Sequence, residues 1–211
     1  MTPLDKYKLV VFDLDGTLVH TKEEYRYKVV PETLKVLKIS HKVNRKAIDK
    51  FWFDGSRNQT IKKYFKIEPK EFWKVFHTLD FMENRAKFTF AYDDVTRTLR
   101  MLKKLGKTLA ITTGAPKWIA EMETKLLPRH LFSKIISITS TRYKAKPDLQ
   151  SLNGCLKYLK FKPSDAVYVC NSTEDAIYAK NANVDFIYLE RKEHEFKSKK
   201  LKTIHSLREL F

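Results

Sequence analysis

Residues 8–17 read Lys8-Leu9-Val10-Val11-Phe12-Asp13-Leu14-Asp15-Gly16-Thr17, an apolar run that closes on two carboxylates and a glycine. Such a run bounded by a turn signal predicts a buried strand. In an open α/β sheet, ligands bind in the crevice beyond the carboxyl ends of parallel strands, so Asp13 and Asp15 would stand at that mouth, on the same side of the pleat. Two acids held close together repel each other, and a hard divalent cation such as Mg2+ relieves the repulsion while bringing phosphate with it. An Asp-Gly pair ending a strand is also an ordinary turn. The rest of the chain has to decide between the two readings.

Three more polar strand ends follow in order. Thr108-Leu-Ala-Ile-Thr-Thr-Gly-Ala-Pro116 is a short apolar strand running into a hydroxyl pair and a glycine, with a proline that opens a helix. Arg142-Tyr-Lys-Ala-Lys-Pro-Asp148 follows the strand around Ile136, and the residue before Pro147 is pushed to extended geometry, so Lys146 projects from a loop. Ala166 to Asp175 runs a strand into Asn171 and Ser172 and then a helix through Ala182, and Ser172-x-x-Asp175 has the form of a capping box. Together with residues 12–17, this order resembles the haloacid dehalogenase-like superfamily, which consists mostly of Mg2+-dependent phosphohydrolases.

The resemblance implies a role for each piece. Asp13 is the nucleophile that attacks phosphorus and carries an aspartyl-phosphate, and Asp15 is the acid that protonates the leaving alkoxide and then the base that activates water. Thr113, directly before Gly114, is the better match to the hydroxyl that bonds a phosphoryl oxygen, with Thr112 as the second candidate and Gly114 in the same substrate-binding turn. Lys146 matches the cation that offsets charge on nucleophile and phosphate, with Lys144 competing for the part. A halide leaving group needs no proton, and the family's dehalogenases lack an acid where Asp15 stands, so the pattern points to phosphate.

One position departs from the pattern. The family usually has Gly-Asp where this chain has Cys170-Asn171. An amide oxygen can ligate Mg2+ but brings no charge, so weaker metal binding is expected from a set of Asp13, Asp15, Asn171 and Asp175. Asp175 carries two compatible readings, an acid of the metal site and a helix cap that orients Lys146. A binding protein that has lost turnover through Asn171 is therefore one alternative to a working enzyme.

The alternation of strands around Leu9, Leu109, Ile136, Val167 and Phe186 with helices predicts a Rossmann-like α/β fold, a parallel sheet with helices on both faces. One helix starts at Asp93 or Asp94 and stops at Gly106, and another starts at Pro147 with Leu149, Leu152, Leu156 and Leu159 on one face. Between these core segments, 1–18 and 91–211, residues 19–90 change to a helical pattern, with helices expected over 31–39, 44–53, 58–66 and 69–81. This insert resembles the all-helical cap of one subclass, which closes over the site and selects the substrate. Phe51, Trp52, Tyr64, Phe65, Phe72, Phe76 and Leu79 recur at helical spacing and read as the core of that bundle. In the loop 54–58, Arg57 is a candidate contact for a second charge on the substrate, against the plainer reading of a solvated side chain.

At 211 residues and 43% apolar, the chain can bury a real core. Its two cysteines, Cys155 and Cys170, form no disulfide framework, and no apolar run approaches the ~18 residues of a membrane span, so a soluble, cytoplasmic protein is expected. With 42 Lys and Arg against 25 Asp and Glu, the net charge is +17. Such a field steers anions, a small phosphorylated substrate first, or it is a compositional habit. A DNA or RNA end-processing phosphatase is the secondary reading, because no nucleic-acid-binding motif accompanies the charge. The densest basic stretch, Arg191 to Lys202, reads as a solvated loop.

Overall fold

A computed structural model of the chain describes residues 4–53, 57–191 and 203–211. In chain order the first elements are β1 (Leu9–Phe12), β2 (Val19–Thr21), α1 (Glu23–Val36), α2 (Arg45–Phe53), α3 (Arg57–Thr60), α4 (Pro69–Leu79), α5 (Met82–Ala86) and β3 (Thr89–Ala91). They continue with α6 (Val95–Lys104), β4 (Thr108–Thr113), α7 (Lys117–Thr124), β5 (Phe132–Ser137), α8 (Gln150–Leu159), β6 (Ala166–Cys170), α9 (Thr173–Asn181), β7 (Asp185–Leu189) and β8 (Thr203–Ile204). The chain divides into two compact units, Met1–His20 with Phe90–Phe211, and Thr21–Thr89.

The first unit is a parallel six-stranded sheet in the order β5-β4-β1-β6-β7-β8. β1 lies between β4 and β6, with Phe12 in register with Ile111 on one side and Val169 on the other. Alternate residues feed opposite cores: Val10, Phe12, Leu109 and Ile111 go to one face, and Leu9, Val11, Ala110 and Tyr168 to the other. Burial on both faces is what makes β1 a continuous apolar run rather than an alternating one. The strands expected around Leu9, Leu109, Ile136, Val167 and Phe186 are β1, β4, β5, β6 and β7, a Rossmann-like α/β sheet. β8, two residues long, leaves no periodicity to read.

Some boundaries differ from the sequence reading, each for a local reason. Pro147 does not open α8, which begins at Gln150, where the Asp148 carboxylate accepts the Gln150 N–H at 2.9 Å. Lys146–Pro147 is a cis peptide in the loop before it. α1 begins at Glu23, well before Pro31, which sits inside the helix. The burial of Tyr25, Arg26, Val29 and Val30 outweighs the one backbone bond that a proline removes.

The second unit has its own apolar core, in which Phe51, Phe65, Phe72 and Phe76 meet with ring centroids 5.1 to 5.5 Å apart. Tyr64 departs from the expected stripe. Residues Ile61–Phe65 wind as a π turn, which shifts the helical phase and leaves Tyr64 exposed. Two buried polar pairs cross this unit: Tyr25 donates to Asp80 at 2.7 Å, and Arg26 pairs with Asp49 at 2.6 Å.

The described end of the basic stretch overturns the reading of a solvated loop at Arg191, while Lys197, Lys199, Lys200 and Lys202 lie outside the described residues. Arg191 is buried, grips both oxygens of Asp94 at 2.9 and 3.0 Å, donates to the Thr17 carbonyl at 2.9 Å, and lies 3.9 Å from the Tyr92 ring centroid. Asp94 also accepts from the Leu207 N–H at 2.9 Å and the Ser206 hydroxyl at 2.8 Å. One ion pair thus ties the turn after β1, the start of α6 and the segment after β8.

Burial pushes the Asp94 carboxyl up, but the Arg191 guanidinium and the hydrogen bonds outweigh it and hold it below the usual carboxylate range. Asp94→Asn should therefore cost about 3–5 kcal/mol in urea unfolding at neutral pH, because it leaves a buried guanidinium short of its charge partner. The stabilisation is present above the unfolded carboxyl's value, about 4, and is lost as pH falls through the lower folded value. Wild type and variant should therefore converge in acid, and a gap that persists there would remove the ion pair as its cause.

Candidate active site

β1 carries its acids to the mouth of the sheet without leaving it. The Asp13 N–H still donates to the Val169 carbonyl on β6 at 3.0 Å. Leu14 turns into the core, and Gly16, at φ 79°, takes the left-handed conformation that lets its N–H return to the Val19 carbonyl at 2.7 Å. Asp13 is left 6% exposed and Asp15 half-buried.

The loop before α8 brings Lys146 across to Asp13. Its ammonium donates to Asp13 Oδ1 at 2.7 Å, to Asp175 Oδ1 at 2.7 Å and to the Tyr168 hydroxyl at 2.8 Å, which uses all three of its protons. Burial opposes the charge on Lys146, but Asp13 and Asp175 outweigh it and hold the ammonium protonated well above the usual lysine range. Lys144 is exposed and its backbone N–H meets Gln150. The two lysines are therefore distinguished by place: Lys146 is the one in the cluster.

Asp175 realises the capping geometry and the contact with Lys146 together. Its N–H donates to Ser172 Oγ at 3.0 Å, its Oδ2 accepts from the same hydroxyl at 2.7 Å, and its Oδ1 takes Lys146. Both carboxylate oxygens are thus engaged by protein. Among the described residues no three His, Cys, Asp or Glu side chains gather to hold a metal.

Burial pushes the Asp13 carboxyl up to about 7; Lys146 pulls it back only in part, and Asp175 and Asp15 add to the rise. With Lys146 shared between two carboxylates, the buried cluster carries an excess negative charge that a cation would offset. The donor chemistry fits a hard one. Asp13 Oδ2 accepts from no group among the described residues, Asp15 stands near enough to act on Asp13 electrostatically, and Asn171, mostly buried, ends β6 beside β1.

Strand parity separates the two hydroxyls of β4. Phe12 pairs with Ile111, so the next residues, Asp13 and Thr112, share a face. Thr112 Oγ1 lies 3.4 Å from the Tyr168 hydroxyl, and the Thr112 carbonyl accepts from that hydroxyl at 3.2 Å. Thr113, the preferred candidate from sequence, ends β4 and accepts the Ala115 N–H at 3.1 Å. Gly114 follows it with open space where a side chain would stand. Arg57 belongs to the helical unit, where its guanidinium donates to the Trp52 carbonyl at 3.2 Å, and Asp54, Gly55 and Ser56 lie outside the described residues.

Tyr168 has no counterpart in the sequence reading. The available signal was an aromatic with a polar tip in the middle of Ala166-Val-Tyr-Val-Cys170, since a buried tyrosine hydroxyl needs a partner.

Residues 10–189 match the sequence profile of the family described as haloacid dehalogenase-like hydrolase. A curated relative, the pyrophosphatase PpaX of Bacillus cereus (strain Q1), is 27% identical over 165 residues, which is 78% of this chain and 74% of the relative. Among solved structures, one assigned to the haloacid dehalogenase-like hydrolases of Bacteroides fragilis has a TM-score of 0.81 at 20% identity and covers 98% of this chain and 100% of that one. CbbY of Rhodobacter sphaeroides, solved with phosphate, has a TM-score of 0.75 at 18% identity and covers 97% of this chain and 96% of that one. At these identities the solved structures speak for the fold, and the profile match speaks for kinship: the chain belongs to the haloacid dehalogenase-like hydrolase family.

Proposed function

We propose that the protein is a Mg2+-dependent phosphatase that hydrolyses a small phosphorylated metabolite through an aspartyl-phosphate on Asp13. The observation that carries the reading is the buried ammonium of Lys146 on Asp13 Oδ1, a cation fixed on the carboxylate that would receive the phosphoryl group. The pyrophosphatase relative and the phosphate held by CbbY support the substrate class.

An Asp13 carboxylate oxygen attacks phosphorus as the bond from phosphorus to the ester oxygen breaks, and Asp15 gives its proton to the departing alkoxide. Asp15 then takes a proton from water, whose oxygen attacks the same phosphorus; phosphate leaves and the Asp13 carboxylate is restored. Lys146 offsets charge on the phosphoryl oxygens in both steps. Thr113, at the end of β4 before Gly114, would donate its hydroxyl to a phosphoryl oxygen, with Thr112, buried against Tyr168, as the second candidate. Asp13, Asp15 and Asn171 would hold Mg2+, which supplies further positive charge to those oxygens when bound. Asp175 acts through Lys146 rather than as a ligand.

One observation favours a nucleic-acid substrate as the second reading: Arg97, Arg100, Lys103 and Lys104 all stand exposed on α6 in a chain of net charge +17. A panel of metabolite and oligonucleotide phosphates, with and without Mg2+, ranks the two. Asp13→Asn should lower Mg2+-dependent phosphate release by at least about 10³-fold. Release that survives the substitution would remove Asp13 as nucleophile, and metal binding without any release would favour a binding protein.

In the metal-free protein the Asp13 carboxyl should titrate near 7, read by its 13C resonance, because burial disfavours the ionised form. Added Mg2+ should move that midpoint down, since a cation favours the carboxylate, and a midpoint indifferent to Mg2+ would place the ion elsewhere. Asn171→Asp should tighten Mg2+ roughly tenfold by adding a charged oxygen. Unchanged affinity would show that Asn171 is not a ligand.

A further inference from the structure

We propose that Tyr168 is a positioning residue for the phosphoryl-transfer step: with Asp175, its hydroxyl fixes two of the three N–H directions of Lys146 and aims the third at Asp13 and the phosphoryl group it carries. The inference rests on the phosphatase reading and adds to it a residue from the floor of the site.

The geometry is that of a tripod. The three Lys146 contacts, Asp13 Oδ1, Asp175 Oδ1 and Tyr168 Oη, all lie within 2.8 Å of Nζ. Two of the three feet are themselves held. Asp175 is pinned by Ser172 at 2.7 Å and is 4% exposed. Tyr168 is fully buried; its hydroxyl oxygen accepts from the Lys146 ammonium, which can only donate, while its own proton has the Thr112 carbonyl at 3.2 Å and Asp175 Oδ1 at 3.4 Å as acceptors. The third foot, Asp13, is the reacting group. Once it carries phosphate it loses its negative charge and much of its hold on the ammonium, and the other two feet keep Lys146 in place until water restores the carboxylate.

Tyr168 suits this part because it is neutral. A third carboxylate would add charge to a cluster that already has an excess of it, and an aliphatic side chain would leave a buried ammonium proton without an acceptor. The ring lies 5.4 Å from that of Tyr178 in an edge-on contact, which fixes the direction of the hydroxyl.

The test is Tyr168→Phe, which keeps the ring and removes the acceptor. Lys146 keeps its charge and its bond to Asp175, so KM should stay within about threefold while kcat falls by about tenfold or more, the cost of a misdirected group. In the wild-type protein, 15N-labelled lysine should give a slowly exchanging Lys146 ammonium signal, and the variant should lose or shift it. Tyr7→Phe, which removes a tyrosine hydroxyl from Asp185 at the other end of the sheet, is the control for lost stability alone and should leave kcat and the Lys146 signal unchanged. p-Aminophenylalanine at position 168, which restores a polar acceptor, should recover part of kcat and also serves if Tyr168→Phe fails to fold. An unchanged kcat and ammonium signal in folded Tyr168→Phe would overturn the inference, as would an equal fall in Tyr7→Phe. A wild-type protein that hydrolyses no ester on the panel removes the phosphatase reading and this inference with it, whereas a working wild type with an indifferent Tyr168→Phe removes the inference alone.

Discussion

A lysine ammonium buried between two carboxylates is costly to assemble, and the architecture of the sheet follows from the need to assemble it. Asp13, Lys146 and Asp175 come from the end of β1, the loop before α8 and the first turn of α9. They meet because β1 lies between β4 and β6 in the sheet. Each charge is tolerable only in the presence of the others, since an isolated ion in that interior would neutralise itself instead. The parallel register, the Ser172 cap and the Thr112 carbonyl each hold one member of the group in place.

The buried pair of Arg191 and Asp94 behaves oppositely. Asp94 accepts from Arg191 through both oxygens and from Ser206 and Leu207, and its carboxyl is held below the usual range. Asp13 accepts one proton from a lysine that it shares with Asp175, and its carboxyl is pushed up to about 7. The difference is the number of donors for each negative charge. A fully satisfied carboxylate is a structural group, whereas an under-satisfied one with a perturbed pKa marks a candidate functional site.

The core strands were legible in the sequence because burial on both faces writes itself as unbroken apolar runs, as at Leu9–Phe12 and Ala166–Cys170. The carboxylates and Lys146 were legible because polar residues at strand ends stand out against those runs. What could not be read was three-dimensional parity. Which of Thr112 and Thr113 shares a face with Asp13 is a matter that only the register supplies. Arg191 hid in a basic stretch because its partner, Asp94, lies far away in the chain. Tyr168 hid inside a hydrophobic strand, and the start of α8 was misplaced because Asp148, not Pro147, sets the first free N–H.

The position of β1 also fixes an order of events during synthesis. β1 precedes both of its neighbours in the sheet, β4 and β6, and the second of these ends at Cys170. At about 5–20 residues per second, β1 waits on the order of ten seconds for its second edge to be covered. Meanwhile residues 21–89 precede β4 and β6 and carry an aromatic core of their own. Until β6 follows, β1 has one apolar edge uncovered, the kind of transient surface for which chaperones exist.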